Sequence, residues 1–258
     1  MTVTYRLADE IAWITLARPA KRNAIDDATL AALDRAVTRA GEEARAAVIA
    51  GEGPCFSAGL DLAEHRVRAP LEVFHHSRSW HEVFTRIRRG RIPVIAALHG
   101  AVVGGGLELA SACHLRVADE TAFFALPEGQ RGIYVGGGAS VFVARLIGAA
   151  RMADMMLTGR VLSAAEAERW GLVTYVVAAG EAAARAGELA RKIAAMAPAT
   201  VLGILHVLPR IQDMAESDGL LVESLMAALA QSAPEAQARL EDFVAKRGAK
   251  VAAPPAAG

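Results

Sequence analysis

The chain has 258 residues, 28 Lys plus Arg balanced by 28 Asp plus Glu, 53% hydrophobic content and two cysteines. That length supports one large domain or a core with an appendage, and either buries a sizeable core without disulfides or a structural metal. The even charge balance excludes an overall basic field for nucleic acid or an anionic membrane, and Cys55 with Cys113 alone makes neither a disulfide framework nor a cysteine zinc site. The first residues carry no basic stretch followed by a long apolar one. The longest apolar run, 92–107, is interrupted by His99 and several glycines, so a cytoplasmic protein without a membrane span is expected.

Residues 3–7 and 11–16, rich in β-branched and aromatic side chains on either side of Ala8-Asp9-Glu10, predict a hairpin. The stretch 18–24 reads as a loop, because Pro19 and Asn23 break the strand pattern; its adjacent Lys21 and Arg22 suit a phosphate or simply solvent. Asp26 or Asp27 predicts a cap on a helix that buries Leu30, Leu33 and Val37 and runs to about Ala40. A short apolar strand at 46–50 leads into 51–62, a glycine loop and helix start whose N–H groups around Leu60 fit one side of an anion site or a plain turn. A charged loop with His65, Arg66 and Arg68 precedes a helix over 71–89, with Val73, Trp80, Phe84 and Ile87 as the expected buried face. His75, His76 and His81 on that helix match no metal-binding spacing.

The strand at 92–98 runs into His99-Gly100-Ala101-Val102-Val103-Gly104-Gly105-Gly106-Leu107-Glu108-Leu109, which reads as strand, glycine turn and helix start. Glycines let backbone N–H groups approach a ligand closely, and a helix start adds unpaired donors. A turn that packs helix on strand asks for the same residues. Further strands are expected at 115–117 and 121–125, the latter closed by Pro127-Glu128, with a third glycine-rich loop at 132–138. Helical patterns at 139–147 and 150–157, a capping box formed by Ser163 and Glu166, and a strand at 172–177 complete this part. From Glu181 the pattern is helical, with segments at 200–208, 220–229 and 234–247 and a frayed tail at 251–258. Strands and helices alternating to about residue 178 define an α/β fold.

Brought together, N–H donors at Leu60 and Gly105 form a two-pronged oxyanion hole, in which loss of one donor costs about 2.7–4 kcal/mol of transition-state stabilisation. Glu108 follows Gly105 by three residues, and Glu128 lies twenty residues further on. Two carboxyls over one water can add it across an activated double bond, one removing its proton and the other protonating the α-carbon. A close pair titrates jointly, so spacing leaves acid and base unassigned. Taken singly, Glu108 is equally well a helix-start acid and Glu128 a solvated loop acid.

Phe56-Ser57-Ala58-Gly59-Leu60-Asp61-Leu62, the 99–108 motif, and Pro127-Glu128 with Gly132 and Gly136-Gly137-Gly138 together resemble the crotonase family of enoyl-CoA hydratases and isomerases. The likeness runs in order over nearly the whole chain. It implies a crotonase-type spiral of ββα units over 1–196 and a C-terminal helical trimerisation region over 197–258. It implies an oxyanion hole for an acyl-CoA thioester at the N–H groups of Leu60 and Gly105, and a catalytic pair in Glu108 and Glu128 that hydrates the 2,3 double bond of a 2-enoyl-CoA. By the same resemblance Lys21, Arg22 and Ala24, with the turn at Ala58, Asp61 and Leu62, hold CoA. Phe243 and Lys246 match positions that reach the CoA of a neighbouring subunit in a homotrimer or a dimer of trimers. No metal or redox cofactor is implied, since the CoA thioester is the substrate. Residues 125–133 and 152–160 look like the methylthioacryloyl-CoA hydratase branch, whereas Val135 and Phe142 depart from a frequent proline and arginine and bear on acyl-pocket shape. Thioester hydrolysis, isomerisation and a non-catalytic CoA-binding scaffold are the alternatives.

Overall fold

The computed structural model describes residues 1–61 and 69–245, which fall into two compact units dividing between Ala195 and Met196. Leu62, the charged loop with His65, Arg66 and Arg68, Lys246 and the tail at 251–258 lie outside the described residues.

In the first unit β1 (Val3–Ala8) and β2 (Ile11–Leu16) form an antiparallel hairpin that turns through Asp9 and Glu10, both at positive φ. Every later pairing in this sheet is parallel. The chain therefore crosses back through helices between β3 (Ala46–Gly51), β4 (Val94–Leu98), β6 (Leu115–Asp119) and β9 (Tyr175–Val177), and the order is β1-β2-β3-β4-β6-β9. A second sheet, β5-β7-β8, joins Ala101–Val103, Phe123–Ala125 and Leu162–Ser163. Between the strands lie α1 (Asp27–Glu43), α2 (Pro70–Arg88), α3 (Gly105–Ala112), α4 (Ala139–Ile147), α5 (Ala149–Thr158) and α6 (Ala164–Trp170), and α7 (Ala182–Ala194) follows β9.

Strand β4 shows why its sequence is apolar without alternation. Val94, Ala96 and Leu98 enter the main core with Trp80, Phe84 and Leu107, while Ile95 and Ala97 face a second cluster with Ala186, Leu189 and Ala190 of α7. A parallel strand covered on both faces reads as one continuous hydrophobic run. The expected caps are present: Asp26 accepts from the amide of Thr29 at 2.7 Å, and Ser163 and Glu166 close a capping box at α6.

Three expectations shift. Val73 is 49% exposed, because residues 70–75 of α2 extend beyond the core; the buried face is Trp80, Val83, Phe84 and Ile87. Strand β9 begins at Tyr175, not 172, since the amides of Leu172 and Val173 both turn back to the Ala167 carbonyl as α6 ends at Gly171. Strand β7 begins at Phe123, because Asp119 accepts the amide and hydroxyl of Thr121 and makes a turn there.

The second unit contains α8 (Pro198–Leu202), a π-helical turn at Gly203–Val207, α9 (Leu208–Ile211), α10 (Glu216–Ser232) and α11 (Pro234–Val244). Leu221, Leu225 and Leu229 form an exposed stripe at four-residue spacing on α10. No single helix among the described residues is long and apolar enough to cross a membrane.

Candidate active site

Two chain segments meet where the sequence places its glycines. The segment through Ser57 pairs with β5: the Ser57 amide donates to Ala101 at 3.0 Å and the Val103 amide to Ser57 at 3.1 Å. Two residues later the same segment bridges Ile25, whose amide donates to the Gly59 carbonyl at 2.8 Å while the Asp61 amide donates to the Ile25 carbonyl at 3.0 Å. Successive groups on an extended chain face opposite ways, so the Leu60 N–H turns away from Ile25. The Leu60 nitrogen lies 3.4 Å from the point at which a Cβ on Gly105 would stand. Gly105 is the first residue of α3, so its N–H is one of the donors that a helix leaves unpaired. Neither N–H finds an acceptor among the described residues.

Side chains crowd the glycines of this turn. Gly104 has φ 54° and ψ −123°, and a Cβ there would stand 2.7 Å from Glu128 Oε1. A Cβ on Gly105 would meet the Trp80 ring at 2.7 and 2.9 Å, and one on Gly106 the Ser57 carbonyl at 2.5 Å. The close approach that makes glycine necessary at each position is to the protein's own groups.

Glu108 sits in the first turn of α3, every residue of which is buried. The other end of that helix is held by Arg116, which donates to Cys113 and Leu172 carbonyls at 2.6 and 2.7 Å, and by Arg88, which reaches the Ser111 carbonyl at 3.4 Å. Glu108 Oε1 accepts the amides of Gly137 at 2.8 Å and Ala139 at 3.1 Å, the latter opening α4. Burial, with a smaller contribution from the charge of Glu128, pushes the Glu108 carboxyl up to about 7 despite these donors. Glu128, just past β7, is only 8% exposed, and burial raises its carboxyl as well. Its Oε2 is buried without a hydrogen-bond partner among the described residues. Glu128 thus touches the glycine turn on one side and the field of Glu108 on the other. Such a pair holds one proton more readily than two charges.

The predicted CoA contacts are brought beside this centre. Asp61 is buried, and its Oδ2 takes Arg18 at 3.0 Å and Lys21 at 3.5 Å. Arg18 also bonds Asp26 at 2.9 Å and the Ala24 carbonyl at 2.6 Å, and the Ala58 amide donates to the Arg22 carbonyl at 2.9 Å. Lys21, Arg22, Ala24, Ala58 and Asp61 therefore form one knot adjoining Leu60, with Lys21 and Arg22 exposed. Phe243 is exposed on α11 in the second unit, and Leu62 and Lys246 lie outside the described residues.

Sequence reasoning missed the parts played by five residues. Asn23, at φ 53°, accepts from the Arg18 amide and donates to the carbonyls of Glu52 and Cys55, tying the 18–24 loop to the 51–61 loop. Its signal was present, since asparagine is among the few residues that tolerate the left-handed region. Arg18 as the ion-pair hub, Trp80 as the wall behind Gly105, and the Gly137 and Ala139 amides carry no sequence signal. Each acts through a long-range contact or through its backbone.

Among the described residues no cluster of His, Cys, Asp or Glu is arranged to hold a metal ion. A cleft of about 710 Å³ beside α1 and α2 contains none of the residues above. The convergent donors and carboxyls, not that cleft, make up the candidate site.

This fold is of the crotonase type. It superposes with TM-score 0.93 on a Rhodopseudomonas palustris crystal structure bearing an enoyl-CoA hydratase name, 51% identical, over 95% of each chain. A family model described as enoyl-CoA hydratase/isomerase matches residues 6–252, and the chain belongs to that family. It is 39% identical over 191 residues to "Probable enoyl-CoA hydratase 2, mitochondrial" of Arabidopsis thaliana, a match that spans 73% of this chain and 64% of that protein. It is also 36% identical over 211 residues to "4-chlorobenzoyl coenzyme A dehalogenase-1" of an Arthrobacter species, covering 80% of this chain and 75% of that one. The names of these relatives describe different reactions, so membership alone leaves the chemistry to the site.

Proposed function

We propose that the protein is an enoyl-CoA hydratase, with the N–H groups of Leu60 and Gly105 as its oxyanion hole and Glu108 with Glu128 as its acid–base pair. The observation that carries this reading is the meeting of two buried carboxyls with two backbone donors that have no acceptor among the described residues, around one glycine turn.

The thioester oxygen sits between the two N–H groups. Water held by the carboxyl pair attacks C3, the ionised carboxyl takes its proton, and the electron pair of the double bond moves onto the thioester oxygen as an enolate. The two N–H groups are placed for charge that develops only as the reaction proceeds, which is where binding accelerates it. The protonated carboxyl then delivers its proton to C2 as the carbonyl reforms. One hydrogen and one hydroxyl have been added, the carboxyls have exchanged protonation states, and neither metal nor redox cofactor takes part. Burial raises both carboxyls, Glu108 to about 7, which favours proton exchange at this pair.

Lys21 and Arg22 are the exposed cations proposed to meet the phosphates of CoA, braced by Asp61 and by the backbone at Ala24 and Ala58. We place the enzyme in the cytoplasm as a homotrimer or a dimer of trimers, in which Phe243 and Lys246 reach a neighbour's CoA; the leucine stripe of α10 supports association between copies. The likeness of 125–133 and 152–160 to the methylthioacryloyl-CoA branch makes that thioester a substrate to test.

The experiment is hydration of crotonyl-CoA and a short panel including methylthioacryloyl-CoA, followed by loss of enoyl absorbance. Turnover that Glu108→Ala and Glu128→Ala each depress strongly is expected. Binding of the thioesters without hydration of any of them overturns the reading, and release of free thiol assigns hydrolysis instead.

A further inference from the structure

We propose that Ser77 on α2 is a positioning residue for Glu108, acting through the one peptide group that joins Gly136 to Gly137. The proposal deepens the hydratase reading, and its kinetic consequence rests on that reading. Ser77 Oγ donates to the Gly136 carbonyl at 2.6 Å. The N–H of the same peptide group, that of Gly137, donates to Glu108 Oε1 at 2.8 Å. A peptide is planar, with C=O and N–H pointing in opposite directions, so fixing one end aims the other. A donor on the carbonyl also polarises the group and strengthens its N–H.

Val135 packs into the core, but the backbone of the loop has little else to hold it. Among the described residues, 134–137 make no backbone–backbone hydrogen bond. Glycine has the most conformational freedom to lose, and three occur here in succession. Nor can the loop be stiffened from within at Gly137, where a Cβ would stand 2.6 Å from Glu108 Oε2. Rigidity has to come from outside, and α2, whose Trp80, Val83, Phe84 and Ile87 are buried in the core, supplies it.

The groups that face the pair are few. Among the described residues the charged group bearing on Glu108 is Glu128, from the segment after β7, on which Arg131 bears in turn; α2 contributes the Phe84 ring beside Gly137, and the Gly138 and Ala139 amides come from the start of α4. Ser77 faces His81 Nε2 at 3.5 Å, and because its hydroxyl proton goes to Gly136, that contact requires the His81 nitrogen to donate. A donor to a carboxylate favours its charged form, so loss of the tether raises the midpoint of Glu108.

The test is Ser77→Ala against Ser77→Thr, which keeps the hydroxyl, with Ser77→Cys as a weaker donor of similar size if the alanine variant does not fold. In Ser77→Ala, kcat for hydration falls about 3–10-fold, the worth of one hydrogen bond, with KM within about twofold. The pH limb assigned to Glu108 moves upward, and Ser77→Thr restores both. Independently of turnover, the ¹³C-carboxyl titration of Glu108 in the ligand-free protein, assigned with Glu108→Gln, moves to higher pH in Ser77→Ala. An unmoved titration overturns the proposal, as do equal defects in the Ala and Thr variants, which would make bulk rather than the hydroxyl responsible. A wild-type protein that hydrates nothing while Ser77→Ala still moves the titration overturns the hydratase reading and leaves the Ser77 assignment standing.

Discussion

The amide nitrogen of Leu60 stands 3.4 Å from the Cβ position of Gly105, although the two residues are 105 − 60 = 45 apart in the chain. Gly105→Ala therefore places a methyl group against the Leu60 nitrogen and drives it into the Trp80 ring, 2.7 Å away. Alanine at the start of an exposed helix would stabilise it slightly. Here overpacking of about 1–3 kcal/mol dominates. A lower melting temperature is expected together with at least about a tenfold fall in kcat on crotonyl-CoA, since misplacing even one oxyanion donor is costly. A variant with wild-type turnover would remove Gly105 from the oxyanion hole.

Glu108→Gln and Glu128→Gln keep the shape of each side chain and remove its proton chemistry. Each is expected to lower kcat by about 10²–10⁴-fold, the usual range for general acid–base catalysis. The kcat/KM profile of the wild type should be bell-shaped, with one limb near the value of about 7 to which burial pushes Glu108. The charge of Glu128 contributes to that rise, so neutralising it in Glu128→Gln moves the Glu108 titration toward lower pH. Carboxyl NMR of the ligand-free variant follows this directly, and a shift in the opposite direction contradicts a shared field.

How much of this was legible in the sequence follows from how each residue acts. Glu108 and Glu128 could be named because they lie in glycine and proline punctuation that marks strand and helix ends, and the order of those motifs carried the family. The glycine turn reads in the sequence as a place where a ligand nears the backbone or where helix packs on strand; the groups that crowd it in the fold are Glu128, Trp80 and Ser57, which only the folded chain assembles. Val73 follows the helical period of Trp80, yet it is exposed; periodicity tells which face a residue occupies and not where the core ends. Asp61 reads as a ligand contact in the motif, and its carboxylate is engaged by Arg18 and Lys21. An ion pair across 43 residues has no local signature.

Stability should depend on pH through Glu108. Its folded-state value of about 7 lies above the ordinary 4.5, so between these limits the folded chain keeps a proton that the unfolded chain has released. Stability is then fully present below about pH 4.5, falls as pH rises toward 7, and levels off above, by an amount of order 3 kcal/mol. Glu128 is shifted in the same direction and adds to the slope. Urea denaturation of the wild type at several pH values should show the decline, and Glu108→Gln should flatten it and become the more stable protein at the alkaline end. A wild-type stability that rises over this interval would show that other groups outweigh the pair.

Asn23 offers a test of the scaffold separate from the carboxyls. It is 1% exposed, and its side chain accepts the Arg18 amide at 2.9 Å and donates to the carbonyls of Glu52 and Cys55 at 2.8 Å each. Asn23→Ala leaves these three backbone groups without their partner, and an unsatisfied buried polar group typically costs about 1–3 kcal/mol. Alanine also tolerates the native φ of 53° less well than asparagine. The expected loss of stability is about 2–4 kcal/mol, measured by urea denaturation. The bonds that break join the loop carrying Lys21 and Arg22 to the segment carrying Leu60, so the KM for the CoA thioester should rise as well. Asn23→Asp retains the acceptor for Arg18 and loses both donors; it should sit near the alanine variant in stability, because two carbonyls then face a carboxylate. Wild-type stability in both variants would mean that the two loops are held together without the Asn23 side chain, by the Ala58–Arg22 backbone bond, the Ser57 bond to the residue 23 carbonyl and the pairs of Arg18 and Lys21 with Asp61.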